Sequence, residues 1–192
     1  MGIPSGYTSA QVVQAVPTGI NSAFVCVKAE TAFTSSSSVT ADNVFSSAYT
    51  NYKVMIRFTS PGNMNADFKL RVGGVTTTGS NYNWQNVTGA STSAAANRVT
   101  GTTSFELGNG VNGAFFSTNI LEIFAPFLAE PTTFQNFNQN SDGAYTTPVT
   151  RYNTGNHTLS TSYDGFEFLP RLGAGTVQIT GTYTVYGYGK SV

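Results

Sequence analysis

One short segment constrains the fold of this chain more than any other. Residues 52–58, YKVMIRF, carry β-favouring side chains with a two-residue period. Successive residues of a strand point to opposite faces, so this pattern predicts a half-buried strand. The apolar face of the predicted strand consists of Tyr52, Val54, Ile56 and Phe58.

A second alternating segment lies near the C-terminus at residues 176–186, TVQITGTYTVY. Its apolar side carries Val177, Ile179, Tyr183 and Val185, while threonines and a glutamine occupy the other side. Two long alternating strands near opposite ends of a chain predict a sheet that the C-terminal strand closes.

The composition favours strands and turns over helices. Charged residues are only 9% of the 192 residues, against about 25% in a typical soluble domain, whereas Thr, Asn, Ser and Gly number 28, 17, 19 and 20. Thr suits strands, and the other three suit turns. With a net charge of zero and no Lys/Arg cluster, we expect no nucleic-acid partner. No apolar run reaches the roughly 20 residues of a membrane span.

Reading the alternation and the turn signals along the chain predicts about nine to eleven strands and no helix. This count fits an all-β antiparallel sandwich of the jelly-roll type at residues 23–192, with a lipocalin-like barrel as the alternative. Residues 1–22 are predicted to form a short extended N-terminal arm. Its apolar stretch could dock on a neighbouring subunit, although a frayed terminus is the competing interpretation. The docking residues would be Gln11, Val12, Val13 and Val16.

Two further local predictions follow from composition. Residues 89–97, GASTSAAAN, have little apolar bulk and are predicted to form a loop. Cys26 is the only cysteine, so the chain can form no internal disulfide. It stands in the apolar run 24–27, FVCV, which predicts a buried side chain and not a reactive thiol.

The residues offer little for catalysis or metal binding. His157 is the only histidine and follows the turn-like residues 153–156, which indicates a solvated or capping role. One His with one Cys cannot supply the usual zinc ligands, and no GxSxG motif is present. Glu122 lies between Leu121 and Ile123, and we expect it to pair with Arg57 or Arg71. The sequence therefore predicts neither an enzyme nor a metal or cofactor site.

One segment has the chemistry of sugar recognition. Tyr82, Asn83 and Trp84 combine flat aromatic faces with an amide, and further amides flank them at Asn81 and Gln85. Aromatic rings stack on sugar rings while amides hydrogen-bond to hydroxyls, so these three residues are a candidate glycan site. The alternative is that Trp84 belongs to the core.

Several segments, taken in order, resemble a family of single-domain virion proteins from tailed bacteriophages, particularly marine phages. The similarity covers residues 24–189. The segments are DNVFSSAYTNYKVMI at 42–56, LRVGG at 70–74, SNYNWQ at 80–85, LAEPTT at 128–133, YDGFEFLP at 163–170 and ITGTYTVYGY at 179–188. The resemblance implies a jelly-roll module on the outer surface of a virion. It transfers no catalytic residue.

Three functions are compatible with this resemblance. The first is a capsid decoration or cement protein that clamps coat subunits. The second is a tail-appendage or fibre-tip adhesin that binds host surface glycan. The third, a depolymerising enzyme, is disfavoured because no credible pair of carboxylates is evident. For either virion role we expect other virion proteins, major capsid or tail proteins, as partners, and a homo-oligomer, with a trimer as the expected form.

Overall fold

The computed structural model describes residues 24–62, 64–110, 116–141, 148–171 and 177–188. Within these ranges the chain forms thirteen strands and no helix. The predicted arm, including Gln11, Val12, Val13 and Val16, lies outside the described residues. The strands are β1 (Phe24–Ser36), β2 (Val39–Ala41), β3 (Asn51–Thr59), β4 (Met64–Val72), β5 (Val75–Thr76), β6 (Tyr82–Ala90), β7 (Ser93–Thr102), β8 (Phe105–Gly110), β9 (Ser117–Phe124), β10 (Thr132–Ser141), β11 (Pro148–His157), β12 (Gly165–Arg171) and β13 (Ile179–Tyr188).

The strands form two antiparallel sheets that pack as a sandwich. The larger sheet has the order β1-β13-β3-β9-β10-β11-β6-β7, and the smaller has the order β2-β12-β4-β5 with β8 also paired to β4. Every pairing is antiparallel. The prediction of an all-β antiparallel sandwich is therefore confirmed, and the alternative of a single barrel is wrong.

The two strands that the sequence marked most clearly are direct neighbours. All four apolar residues of residues 52–58 are buried in β3, as the alternation predicts. β13 pairs with β3 on one side, where Tyr183 lies opposite Ile56, and with β1 on the other. The C-terminal strand thus lies between two strands from the first third of the chain and joins them in one sheet.

Aromatic rings supply much of the core. Phe134 on β10 stacks on Phe105 of β8, with ring centroids 5.0 Å apart, and it also contacts the rings of Phe68 and Tyr82 at 5.9 and 6.2 Å. Phe68 in turn stacks on Phe166 at 5.2 Å. Ring contacts of this kind add to the free energy gained from burial, and here they connect both sheets.

The number of strands exceeds the expected nine to eleven in part because two of them are very short. β2 and β5 are only three and two residues long, too short to leave a pattern. The predicted loop at residues 89–97 is wrong, because β6 and β7 form a hairpin across it, with Ala90 opposite Ser93. Ser91 takes the positive φ of 54° that glycine usually supplies in such turns, so the turn lacked its usual signal.

The prediction that Cys26 is buried is also wrong. β1 is an edge strand of the larger sheet, and Cys26 pairs with Tyr186 on the outer face. Its neighbours Val25 and Val27 are only half-buried. An apolar run indicates burial on both faces only when the strand is central and covered on both sides.

Candidate functional site

The outer face of the larger sheet presents every second residue of its strands. Because paired residues lie side by side across an antiparallel sheet, the registers define rows that run perpendicular to the strands. One such row is polar apart from the aromatic ring of Tyr186. In order from β13 to β7 it contains Tyr186, Lys53, Glu122, Gln135, Thr154, Gln85 and Arg98.

The next row on the same face is apolar. Its large side chains are each between 39% and 57% exposed, and at a strand spacing of about 4.8 Å the row extends for about 24 Å from β3 to β7. The members are Met55, Ile120, Phe137, Tyr152, Val87 and Ala96. A row of exposed apolar residues beside a polar row marks this surface as a candidate for binding.

Glu122 on this face is held in its ionised form. Its Oε1 accepts a hydrogen bond of 2.5 Å from the hydroxyl of Tyr188 and lies 3.2 Å from Lys53 Nζ. The hydrogen bond from Tyr188 is the main cause that lowers the pKa of Glu122, and Lys53 adds to it. The expectation of an arginine partner is wrong, because Lys53 and not Arg57 or Arg71 lies opposite Glu122 in the register.

Two adjoining cavities open between β10, β11, β6 and β7. The first has a volume of about 540 Å³. The second has a volume of about 390 Å³ and shares Gln85, Arg98 and Thr154 with the first. A third cavity of about 370 Å³ lies further along the face, where Met55, Ile120 and Phe137 line it.

The three residues predicted to bind glycan point to opposite faces of the larger sheet. Tyr82 is fully buried, and its hydroxyl accepts a hydrogen bond of 2.7 Å from the backbone N–H of Leu70. Trp84 is also buried in the core, as the alternative held. Only Asn83 points outward. Both Asn83 and Trp84 line the first cavity, but neither ring of the predicted site is exposed for stacking.

His157 is not in a solvated loop. It is the last residue of β11 and is fully buried, with Nδ1 3.1 Å from the hydroxyl of Tyr163 and its ring 4.5 Å from that of Tyr82. Burial lowers the pKa of His157. The predicted solvated or capping role is wrong because strand pairing with β6 continues to the end of the NTGNH segment.

The buried carboxylates of Asp67 and Glu106 form an ion cluster. Arg151 and Arg171 pair with the two oxygens of Glu106, and Arg171 Nε also lies 3.3 Å from Asp67 Oδ1. Burial raises the pKa of Asp67, although Ser104 donates a hydrogen bond of 2.6 Å to it. Because two arginines form ion pairs with these two carboxylates, the cluster ties β4, β8, β11 and β12 together.

The described residues contain no group of three or more His, Cys, Asp or Glu side chains placed to hold a metal ion. The same part of the chain has no helix of the length and apolarity required to cross a membrane. Comparison with family models, curated proteins and solved structures found no match to this chain.

Sequence reasoning singled out Asn83, Trp84 and Gln85 but missed the other residues that line the cavities, because these come from three other strands. Gln135 stands in TTFQNFNQN, Thr154 in RYNTGN, and Arg98 in the segment predicted to follow a loop. Alternation within each strand marks these side chains as outward-facing. Only the register between strands, which no single segment encodes, places them around one cavity.

Proposed function

We propose that this chain is a non-enzymatic structural protein on the outer surface of a tailed-phage virion, and that it is a capsid decoration or cement protein. The family resemblance suggests this role, and the strand order is the observation that supports it. In a jelly roll of eight strands, the first, eighth, third and sixth form one sheet and the second, seventh, fourth and fifth form the other.

Eight strands of this chain follow that order. β1-β13-β3-β9 run side by side in the larger sheet, and β2-β12-β4-β8 run side by side in the smaller. On this proposal the fold is a jelly roll in which β5, β6, β7, β10 and β11 are additions. Four of the five additions widen the larger sheet beyond β9.

The low charge also supports a docking role. A surface with few charged groups can be covered by neighbouring subunits without leaving unpaired charges behind. The partners would be major coat subunits, and the unit that docks would be a homo-oligomer with closed symmetry, for which we propose a trimer. Sedimentation equilibrium of the purified chain tests the trimer directly.

The number of copies per particle tests the location. Purified virions of a phage that encodes this chain would be digested and quantified by mass spectrometry against the major coat protein. Decoration of the shell predicts a copy number comparable to that of the coat protein, and removal of the gene should lower the temperature at which capsids release DNA. Absence of the chain from virions would overturn the proposal.

The second candidate is a tail-appendage or fibre-tip adhesin that binds host surface glycan. The first cavity on the outer face of the larger sheet favours it, because the amide and hydroxyl groups that line this cavity suit sugar hydroxyls. A copy number of a few dozen or fewer per particle would support this location over the capsid shell.

A further inference from the structure

The first cavity is lined by polar groups that can both donate and accept hydrogen bonds. No acidic residue is among its lining residues in the described part of the chain. Each amide supplies two donors and an acceptor, and each hydroxyl supplies one donor and acceptor sites. The polar lining comes from Asn83, Gln85, Arg98, Gln135, Thr154 and Asn156, with Thr133 beside them.

Part of this lining is fixed and part is available. Asn83 Nδ2 donates a hydrogen bond of 3.1 Å to Asn156 Oδ1, and Asn83 Oδ1 accepts one of 3.0 Å from the backbone N–H of Gly101. By contrast, the side chains of Gln85, Gln135 and Arg98 make no hydrogen bond to any other residue that the structure describes. Internal hydrogen bonds therefore hold one part of the lining, while another part keeps open hydrogen-bonding groups.

The second cavity adds an aromatic surface. Tyr152 lines it, with 46% of the residue exposed, and Gln85, Arg98 and Thr154 continue into it from the first cavity. Tyr152 and Thr154 lie two positions apart on β11, so the ring stands on the same face as the polar groups. The two cavities form one groove with an exposed ring beside amides.

We propose that this groove binds a saccharide chain. Tyr152 stacks on the apolar face of a sugar ring, while Gln85 and Gln135 hydrogen-bond to hydroxyls along its edge. Arg98 has no ion pair with a described carboxylate, so it is free to meet a carboxylate or sulfate substituent where the sugar carries one. This site is independent of whether the chain sits on the capsid or the tail.

Other ligand classes fit this groove less well. A single guanidinium cannot neutralise the series of phosphates on which nucleic-acid binding depends. A protein partner would be expected on the apolar part of the face, around Met55, Ile120 and Phe137, where the third cavity lies. The first cavity, next to Tyr152, has the more polar lining, and its amides suit hydroxyl groups.

Titration calorimetry on the full chain tests this proposal with two probes. One is a neutral hexasaccharide of glucose, and the other is a hexasaccharide of uronic acids. We expect at least one to bind with a millimolar or lower Kd. Tyr152→Ala should weaken that binding about two- to tenfold through loss of stacking. If the uronic acid probe is preferred, Arg98→Gln should remove the preference.

Met55→Ala is the matched control, because Met55 lies on the same face with similar exposure and three strands away from Tyr152. It should leave the Kd unchanged. The proposal is overturned if neither probe binds, or if Tyr152→Ala and Met55→Ala behave alike. It is also overturned if the unaltered protein is an oligomer that binds neither probe and Tyr152→Ala dissociates that oligomer. None of these results depends on the copy number in virions.

Discussion

His157 shows how one buried side chain can make stability depend on pH. Its ring lies between the rings of Tyr82 and Tyr163, which hold no charge near neutral pH, and burial lowers its pKa. In the unfolded chain His157 takes up a proton below about pH 6.5. The unfolded state then binds more protons than the folded state, so the free energy of unfolding falls as pH is lowered through this range.

We therefore expect His157→Gln to flatten the pH dependence of stability between pH 7.5 and 5.5. Asp67 acts in the opposite direction, because burial raises its pKa and the folded state holds its proton more tightly as pH falls. Both the unaltered protein and His157→Gln contain Asp67, so subtracting one pH dependence of stability from the other removes the contribution of Asp67. Urea midpoints at several pH values provide the measurement, and equal slopes in the two proteins would contradict the assignment.

We expect neutralising Glu106 to reduce the free energy of unfolding more than neutralising Glu122. Glu106→Gln leaves the guanidinium groups of Arg151 and Arg171 without their main partner in a buried cluster, and it should reduce the free energy of unfolding by about 3 kcal/mol. Glu122→Gln is the matched control. Its carboxylate pairs with Lys53 at the surface, so the same change there should cost less than about 1 kcal/mol. Urea unfolding compares the two.

At the scale of the element, β13 requires close approach to its neighbours. Gly181 lies opposite Phe58 on β3 and Phe33 on β1. A Cβ at this position would overlap the carbonyl oxygen of Arg57 and the Cα of Phe58. The strand therefore passes this point only because glycine has no side chain.

Gly181→Ala should accordingly destabilise the protein by about 1–3 kcal/mol, because the backbones of β3 and β13 must separate. Gly89→Ala is the control within a strand, since nothing lies within 4 Å of a Cβ built there. We expect it to change stability by no more than about 0.5 kcal/mol. Thermal unfolding followed by circular dichroism measures both, and equal effects would contradict this account of β13.

The strands that the sequence predicted correctly are those whose apolar and polar residues alternate because only one face is buried. β3 alternates because only its inner face meets the core, and β13 does so for the same reason. Residues 93–97 of β7 were predicted to form a loop because β7 is an edge strand with little to bury, and its run of alanines carries no period. Cys26 was misjudged because an apolar run does not reveal whether its strand is central or at an edge.

At the scale of the whole molecule, one core extends through both halves of the larger sheet. Phe134 on β10 contacts the rings of Phe68 and Phe105 in the smaller sheet and the ring of Tyr82 on β6. β6 and β10 are therefore packed against the same cluster of rings as the strands of the smaller sheet. Shared packing of this kind favours a single cooperative unfolding transition.

The single tryptophan allows a test of this cooperativity. Trp84 lies on β6, in the half of the larger sheet formed by β10, β11, β6 and β7, so its emission reports on that half, whereas far-ultraviolet circular dichroism reports on all strands. We expect the two signals to change with the same urea midpoint. An earlier change in Trp84 emission would show that this half of the larger sheet unfolds separately from the rest of the sandwich.

The candidate groove could be predicted only in part. The segment around Trp84 was correctly marked as rich in amides, and Asn83 does line the cavity. The ring that stacks was assigned to Tyr82 or Trp84, but strand alternation turns both inward and leaves Tyr152 as the exposed ring. Tyr152 is 67 residues from Gln85 at the end of that segment, and only the pairing of β11 with β6 brings it there.

The position of β13 between β1 and β3 has a consequence for synthesis on the ribosome. The end of β3 at Thr59 and the start of β13 at Ile179 are 120 residues apart. At about 5–20 residues per second, the nascent chain waits roughly 6–24 s before these strands can pair. During that interval β1 and β3 lack their shared partner, so truncated translation products should be the form of this protein that chaperones and proteases bind most readily.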